Sequence, residues 1–456
     1  MTPSAGRRRP VSVAKPDRSV LIRGATLVTM DADHRVGPLD LQIDAGEIAA
    51  IGANLPRPKG ARIIDARGMA ALPGLVQAHV HLCHALGRGG GEGLDLLTWQ
   101  RERALPLEGA LGAEDLRAAA RLAMVELLLG GTTTVLDYGT VLHTDVLFEE
   151  AAALGLRYTG GKAIMDQGQG YPAALREATA AAIAESVRLC RRWHNSHGGR
   201  LRYAFGPRSA LMASDAAYRA AVEEARRAGA LLHTHAAESA EEVTLTRERV
   251  QKSTVDHLRT LGAVGGDVCL AHGNWLTSEE RRVVRESGTH VVHCPSAGLR
   301  LGSGVARLTE LIADGIEPAL GTSSAAAVDH HDAFAEMRLC ALIHKAKDGA
   351  GAVPAEIALR LATRFGASAL GLADTGTLEV GKRADVVLLD LRRPHLVPDT
   401  GDLEARIVFA ARAADVHTVI VDGVVRVDAG TLVGVNLDAV LRNAQAAATR
   451  VAARLG

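Results

Sequence analysis

Apolar and polar positions follow two different patterns along this chain. In the middle, short apolar runs typical of buried strands are each followed by a stretch rich in Ala, Leu, Glu and Arg, typical of a helix. Eight such strand–helix units predict a (β/α)8 barrel. A doubly wound open sheet is the alternative, disfavoured because no glycine-rich phosphate loop follows the first strand. The predicted strands are residues 72–78, 132–137, 157–165, 201–206, 230–235, 268–272, 290–294 and 317–321, and the predicted helices are residues 114–129, 145–154, 175–193, 215–227, 240–261, 278–287, 305–313 and 332–345.

The two ends of the chain consist instead of short strands separated by glycine and proline turns. We therefore expect a small β-sandwich domain built from residues 19–72 and 376–435, around a barrel of residues 73–375. Residues 1–18 are expected to form a disordered tail, and residues 436–456 a C-terminal helix.

Composition narrows the classes of function. Lys plus Arg and Asp plus Glu both number 52, so no net charge draws the chain to nucleic acid or to an acidic membrane. The five cysteines are odd in number and far apart, which favours buried thiols in a reducing compartment over a disulfide framework. Neither a secretory signal nor a run of 18 apolar residues is found. We expect a cytoplasmic protein that acts on a small molecule.

Histidines occur where the predicted strands end. His79 and His81 close the first strand and share one face of it, because side chains alternate with a period of two residues. His235, His272 and His293 close three later strands. Since the carboxyl ends of barrel strands meet on one face, these imidazoles are expected to converge.

Three or four neutral imidazoles are typical of a catalytic divalent ion, Zn²⁺ above all, which lowers the pKa of the water it binds to near 7. Glu238 follows His235 by three residues, where a short turn brings its carboxylate toward that water. A carboxylate so placed can take a proton from the water and give it to a leaving nitrogen.

Five motifs carry a resemblance to a known family. They are residues 73–82 (Pro-Gly-Leu-Val-Gln-Ala-His-Val-His-Leu), 233–238 (His-Thr-His-Ala-Ala-Glu), 270–273 (Leu-Ala-His-Gly), 292–296 (Val-His-Cys-Pro-Ser) and 381–387 (Gly-Lys-Arg-Ala-Asp-Val-Val). In this order and spacing they resemble the amidohydrolase superfamily, and more narrowly its cytosine-deaminase-related branch. That branch includes 5′-deoxyadenosine, S-adenosylhomocysteine and oxoguanine deaminases and triazine hydrolases.

The resemblance implies a distorted barrel that carries a β-sandwich from both chain ends, and one Zn²⁺ or Fe²⁺ on His79, His81 and His235. It implies Glu238 as the proton shuttle, with His272 close to the attacking water and available as a fourth ligand. Binuclear relatives bridge two metals through a carbamylated lysine on the fourth strand. Residues 201–208 contain no lysine, which favours a single ion. Relatives are often dimers or larger, so a homo-oligomer stays open.

The resemblance also implies substrate contacts. Trp99, Glu108 and Arg208 stand where nucleoside-deaminating relatives place residues that touch the substrate, and His293 is grouped with them. Each of the first three has a plain alternative: Trp99 as a core residue, Glu108 as a charge at a helix start, and Arg208 in a surface ion pair.

The eighth strand departs from the family pattern. Relatives end it in Leu-Gly-Thr-Asp-Gly, whereas residues 320–324 read Leu-Gly-Thr-Ser-Ser, so Ser323 occupies the aspartate position. The change removes a negative charge and a proton acceptor, which leaves both proton transfers to Glu238. Asp329 and Asp332 lie six or more residues further on, which disfavours them as replacements. Some triazine hydrolases of this branch carry a threonine at this point and remain active.

Three functions remain open. The leading one is a metal-dependent hydrolase of carbon–nitrogen bonds other than peptide bonds, an aminohydrolase that deaminates a purine-, pyrimidine- or triazine-like N-heterocycle. The second is the same site displacing halide or thiolate, or opening a cyclic amide. The third is a catalytically inactive relative that acts as a binding protein, which the retained histidines and Glu238 disfavour.

Overall fold

The computed structural model describes residues 19–456, so the expected tail of residues 1–18 lies outside the described residues. The chain forms two nine-stranded sheets. In chain order the strands are β1 (Ser19–Val28), β2 (Val36–Asp44), β3 (Glu47–Gly52), β4 (Arg62–Asp65), β5 (Met69–Pro73), β6 (Leu75–His81), β7 (Thr132–Thr140), β8 (Arg157–Ile164), β9 (Leu201–Pro207), β10 (Leu231–Ala236), β11 (Val268–His272), β12 (His290–His293), β13 (Ala319–Leu320), β14 (Ser323–Ser324), β15 (Val386–Asp390), β16 (Val416–Val421), β17 (Val424–Asp428) and β18 (Thr431–Leu432).

Most helices follow strands of the sheet that contains β6 to β14. They are α1 (Leu96–Trp99), α2 (Leu105–Ala110), α3 (Ala113–Leu129), α4 (Asp145–Leu154), α5 (Thr179–Trp193), α6 (Asp215–Ala228), α7 (Ala240–Val250), α8 (Thr254–Thr260), α9 (Ser278–Ser287), α10 (Pro295–Arg300), α11 (Leu308–Ala313), α12 (Ala325–Val328), α13 (Ala333–Asp348), α14 (Ala355–Leu361), α15 (Arg364–Ala369), α16 (Leu403–Phe409) and α17 (Leu437–Leu455). A π-helical turn, Gln100–Ala104, joins α1 to α2. Every helix among residues 19–456 is too short or too polar to cross a membrane.

The barrel consists of parallel strands in the order β13-β12-β11-β10-β9-β8-β7-β6-β14. The strands at the two ends of this order, β13 and β14, are two halves of one strand, because only Gly321 and Thr322 separate them. The half β13 pairs with β12, whereas Ser323 and Ser324 of β14 pair with β6. The split eighth strand therefore closes the barrel and lies beside the strand that ends in His79 and His81.

The other sheet combines strands from both ends of the chain. Its order is β18-β17-β16-β15-β5-β1-β2-β3, with β4 alongside β1. It bends over an aliphatic core of its own, to which Val20, Ile43, Ile64, Leu388 and Ile420 contribute. The α/β fold class, a barrel with a smaller all-β unit from both chain ends, is thus confirmed.

Three predicted elements differ from the structure. The strand expected over residues 72–78 divides between the two sheets, because β5 ends at Pro73 after pairing with β15 and β6 begins at Leu75. The helix expected over residues 240–261 is two helices, α7 and α8, because Gln251 takes a left-handed φ of 54° that ends α7. The strand expected over residues 317–321 is the split pair β13 and β14, because the chain must leave β12 and pair with β6 to close the barrel.

A buried ion pair connects the barrel to the terminal sheet. Arg157, at the start of β8, donates to both carboxylate oxygens of Asp385, at 2.7 and 3.1 Å. The backbone N–H of Asp422 donates to the same carboxylate at 2.7 Å. Asp385 belongs to the Gly-Lys-Arg-Ala-Asp motif and meets the amino end of a barrel strand, which is the end associated with stability rather than catalysis.

Glu336 on α13 makes the free energy of unfolding depend on pH. It is fully buried and accepts a hydrogen bond from the backbone N–H of Ser296 at 2.9 Å. Burial, reinforced by the charge of Asp332, raises its pKa from 4.5 to about 7 even though hydrogen bonds from Ser296 oppose the change. Between these two pH values the folded chain keeps a proton that the unfolded chain has lost, so the free energy of unfolding falls as the pH rises.

We therefore predict that Glu336→Gln removes this fall, which is on the order of 3 kcal/mol across the window. Urea unfolding of both proteins at pH 4.5, 6 and 8 checks it. The measured quantity is the free energy of unfolding of the variant minus that of the unmodified chain. This difference is expected to rise with pH up to about 7 and then to level off. Parallel curves for the two proteins would contradict the raised pKa of Glu336.

Candidate active site

Five histidines converge at the carboxyl ends of barrel strands. His79 and His81 end β6, His233 and His235 lie in β10, and His272 ends β11. The alternation of side chains along each strand brings the two members of a pair to one face. The ring centroid of His79 lies 4.9 to 5.2 Å from those of the other four. All five are buried.

His79, His81 and His235 each offer a ring nitrogen within 4.8 Å of the others. His235 Nδ1 lies 2.9 Å from the carbonyl oxygen of Arg208, and its Nε2 faces His81 Nε2 at 3.2 Å. His79 Nδ1 lies 3.0 Å from His233 Nε2, while the buried His79 Nε2 has no hydrogen-bond partner among residues 19–456. In both His79 and His235, Nδ1 thus contacts another protein group, and this contact orients Nε2. Ligand histidines in metal sites are held in the same way.

Burial keeps these rings neutral. Desolvation lowers the pKa of His79 and His81 well below 6.5, and desolvation together with the charge of Arg208 lowers that of His235 to about 3. A neutral imidazole has a lone pair that binds a metal. Tetrahedral Zn–N bonds of about 2.0–2.1 Å separate two nitrogens by about 3.3–3.4 Å, close to the 3.2 Å between His81 and His235. The three residues fit a divalent ion.

Glu238 lies just beyond β10 and reaches the histidines. Its Oε1 is 3.3 Å from His272 Nε2. Its backbone N–H donates to Glu242 at 3.0 Å, and its carbonyl accepts from Asn274 Nδ2 at 2.9 Å. Burial, and after it the charge of Glu242, raises the pKa of Glu238 to about 8. A carboxyl group with a pKa near neutrality is suited to exchange a proton during catalysis.

Glu108 and Arg208 form a second polar cluster beside the histidines. Arg208 Nη1 donates to Glu108 Oε2 at 2.8 Å, and the backbone N–H of Val141 donates to the other carboxylate oxygen at 3.1 Å. His84 Nε2 lies 3.8 Å from Glu108, and its Nδ1 lies 2.8 Å from Ser324 Oγ. Burial would raise the pKa of Glu108, but Arg208 and His84 hold it well below 4.5. The pair is therefore a buried ion pair rather than a surface one.

We predict that Arg208→Met lowers the free energy of unfolding by about 3–5 kcal/mol, because it leaves Glu108 charged, buried and without its cation. The double variant Glu108→Gln with Arg208→Met is expected to recover most of this loss. Urea unfolding of the two variants checks both statements. Equal losses in the single and the double variant would show that packing, rather than charge, makes Arg208 important.

The remaining predicted substrate residues lie in two places. Trp99 is 5% exposed, donates from Nε1 to the carbonyl oxygen of Ala326 at 3.3 Å, and has its ring 6.1 Å from that of His84. It therefore borders the Glu108 cluster. His293 has a partner of its own, since its ring packs 5.4 Å from that of His344 on α13.

Ser323 lies opposite Val80 in β14, beside the strand of the first two histidines. Its φ of 61° is left-handed. The chain arrives there through Gly321, where a Cβ would lie 2.6 Å from the carbonyl oxygen of His79. Asp329 is engaged elsewhere, because its carboxylate accepts from the backbone N–H of Gly89 at 2.5 Å and pairs with Arg300 at 3.1 Å.

The sequence did not identify three further residues of the site. His84 stacks on His81 with 4.9 Å between ring centroids, and Tyr138 lies 4.3 Å from His235 on the same measure. Glu242 supports Glu238, as described above. His84 ends the same His-x-His-x-x-His run as His79, so its spacing was a usable signal. Tyr138 follows the second predicted barrel strand, where a site residue was equally to be expected.

Comparison with known proteins gives consistent matches. Residues 70–426 match the amidohydrolase family. The chain is 33% identical to the 5′-deoxyadenosine deaminase of Methanosarcina acetivorans, over 95% of this chain and 99% of that one. It is 34% identical to the 5-methylthioadenosine/S-adenosylhomocysteine deaminase of Pelotomaculum thermopropionicum, over 96% and 99%.

Solved structures agree with these matches. An adenosine deaminase from Xanthomonas campestris with bound zinc superposes with a TM-score of 0.89 at 28% identity, over 95% of this chain and 98% of that one. The atrazine chlorohydrolase of Arthrobacter aurescens complexed with zinc gives 0.88 at 28% identity, over 94% and 100%.

Proposed function

Because this chain belongs to the amidohydrolase family and is a hydrolase of carbon–nitrogen bonds other than peptide bonds, we propose that it deaminates the adenine ring of a 5′-modified nucleoside. The observation that carries the proposal is the convergence of three buried, neutral imidazoles with Glu238. The similarity to deaminases named for 5′-deoxyadenosine and for methylthioadenosine and S-adenosylhomocysteine supports the substrate class.

We assign His79, His81 and His235 as ligands of one divalent ion, with His272 beside them as a fourth. When bound, such an ion lowers the pKa of water to about 7 and so supplies a nucleophile at neutral pH. Zn²⁺ is favoured because neutral imidazoles at tetrahedral spacing suit it, and Fe²⁺ is the alternative. His233 would hold the ring of His79 in place through the 3.0 Å contact between them.

Glu238 would carry the protons. With a pKa of about 8 it can accept a proton from the attacking water and release it to the departing amine. Its Oε1 lies 3.3 Å from His272 Nε2, so the carboxyl group stands beside the residues assigned to the ion. Since Ser323 is neutral, we assign both transfers to Glu238, and Ser323 borders the reacting atoms without taking a proton.

A cavity supports a nucleoside-sized substrate. A narrow pocket that reaches His235 and Glu238 shares Leu97, Gln100 and Met212 with an outer cleft of 480 Å³. Ligand sites of this kind usually measure about 300–1,000 Å³. The outer cleft would take the nucleoside. The narrow pocket measures about 20 Å³, which is room for a water beside His235 and Glu238, and Arg208 lines it.

Ammonia release by the purified, metal-loaded enzyme tests the proposal. The panel is 5′-deoxyadenosine, 5′-methylthioadenosine, S-adenosylhomocysteine, adenosine, guanine and a chlorotriazine. We expect the highest kcat/KM for the first three. Ammonia from none of them, with chloride released from the chlorotriazine, would overturn it in favour of the second candidate.

That second candidate is displacement of another leaving group at the same site. Ser323 favours it. A departing halide needs no proton, so this reaction does not require the second carboxylate that an aspartate at position 323 would provide. The fold similarity to the atrazine chlorohydrolase supports it as well.

Ser323→Asp probes this position directly. The added charge beside β6 is expected to tighten metal binding about 10- to 100-fold, the range typical of groups that support a metal site. Ammonia release is expected to increase at the same time, because the site gains a second proton acceptor. Ser278→Asp, which adds the same charge at the exposed start of α9, is the control. Unchanged metal affinity and rate in Ser323→Asp would show that residue 323 does not face the ion.

We also propose that residues 19–72 with 376–435 and residues 73–375 are separate domains, followed by the helix of residues 436–456. The five cysteines are all buried and unpaired, which supports a cytoplasmic location. Limited proteolysis of the native protein tests the domain bounds.

A further inference from the structure

A second group of metal-binding residue types lies between the end of β12 and helix α13. His293, Cys340 and His344 each present one possible ligand atom, and these atoms all lie within 4.8 Å of one another. All three residues are completely buried. None of them belongs to the histidine cluster of the candidate active site.

The helix places two of the three residues on one face. Cys340 and His344 are four residues apart, so their side chains are neighbours on α13. Glu336, one turn earlier, accepts the hydrogen bond from the backbone N–H of Ser296. This face of α13 therefore packs along residues 293–296, and the group is held by buried contacts on both sides.

The two imidazoles are oriented toward each other. His344 Nε2 lies 3.3 Å from His293 Nε2. On the other side of its ring, His344 Nδ1 lies 3.6 Å from Asp348 Oδ2, which itself accepts from Thr309 Oγ1 at 2.8 Å. At 3.6 Å this contact is too long for a hydrogen bond, and His344 Nδ1 has no hydrogen-bond partner among residues 19–456, so the carboxylate acts on the ring through its charge alone.

The spacing matches a tetrahedral ion. The separation of 3.3 Å is close to the one between His81 and His235, and to the edge of about 3.3–3.4 Å expected for two Zn–N bonds. A hydrogen bond between the two rings would explain this one distance. It would not explain why a buried thiol, Cys340, also lies at ligand spacing from both rings.

We propose that His293, Cys340 and His344 bind a second divalent ion of the thiophilic Zn²⁺ class. The ion ties the end of β12 to α13 and shares no ligand with the site on His79, His81 and His235. Its role is structural, so the inference does not depend on the proposed deaminase activity. It replaces substrate binding as the role of His293.

Cobalt distinguishes the two sites, because only a thiolate ligand gives a sulfur-to-cobalt charge-transfer band in the near ultraviolet. The metal-free full-length protein is titrated with Co²⁺ and, separately, with Zn²⁺. We expect the band in the unmodified chain and about two equivalents of Zn²⁺ per chain. Cys340→Ala is expected to lose the band and one equivalent of Zn²⁺, and to keep the other.

Two cysteine variants serve as controls. Cys269→Ala removes a buried thiol that donates to the carbonyl oxygen of Ala369 and is not one of the three proposed ligands. Cys83→Ala is the more demanding control, because Cys83 lies at ligand spacing from His81 and His84. Both are expected to keep the band.

A band that persists in Cys340→Ala, or that disappears in Cys83→Ala, would overturn the proposal. A stoichiometry of one Zn²⁺ in the unmodified chain would do the same, whether or not any variant folds. Should Cys340→Ala fail to fold, as judged by circular dichroism, Cys340→Ser and His344→Gln carry the test with the same expected losses.

Discussion

Replacement of Glu238 by Gln is expected to lower kcat for ammonia release about 10²- to 10⁴-fold, the usual contribution of a general acid–base group. The amide keeps the size of the side chain but cannot take up and release a proton. Because Glu238 is not among the three residues proposed to hold the ion, metal content should not change. Steady-state kinetics, together with metal analysis of the same preparation, checks both expectations.

Glu336→Gln is the matched control for this experiment. It also replaces a buried carboxyl group whose pKa is raised by burial, but on the face of α13 that packs against Ser296. Its kcat is expected to stay within about threefold of the unmodified chain, since it touches no reacting group. A Glu238→Gln variant with the activity of the control would remove Glu238 from the mechanism.

His235→Ala is expected to have the largest effect on activity. It removes one of the three ring nitrogens that lie within 4.8 Å of one another, so bound metal should fall by about one equivalent per chain. Without the ion, the pKa of the attacking water lies far above 7, and ammonia release should fall by more than about 10⁴-fold. Metal analysis and an end-point ammonia assay check the two parts.

His290→Gln is a suitable control for this loss, because His290 begins β12, at the opposite end of the barrel from the histidine cluster. It should retain both metal and activity. Full metal content in His235→Ala would mean that another set of ligands holds the ion.

The cluster of histidines could be predicted because its signals are local and periodic. His79 and His81 share a face by simple alternation, and barrel geometry brings strand ends together, so the convergence with His235 and His272 follows from sequence position. Local signals also set the limits of α9, where Thr277 and Glu280 form a capping box and Gly288 ends the helix at a φ of 71°.

Contacts between distant parts of the chain could not be predicted in this way. Glu108 and Arg208 are 100 residues apart, and nothing in either segment indicates that they pair. The position of His293 against His344 on α13 depends on helix packing, which no local pattern indicates, and its place among the substrate residues stays a prediction. The split of the eighth strand follows from barrel closure, which no local pattern encodes.

The terminal sheet has a consequence for the order in which the protein is made. The strand β5 pairs with β15, which lies roughly 300 residues later in the chain. At synthesis rates of about 5–20 residues per second, β5 emerges from the ribosome about 15–60 s before its partner. During that time one edge of β5 is open to pairing with other chains, a known source of aggregation. Yield in a host cell is therefore expected to depend on how quickly translation reaches β15.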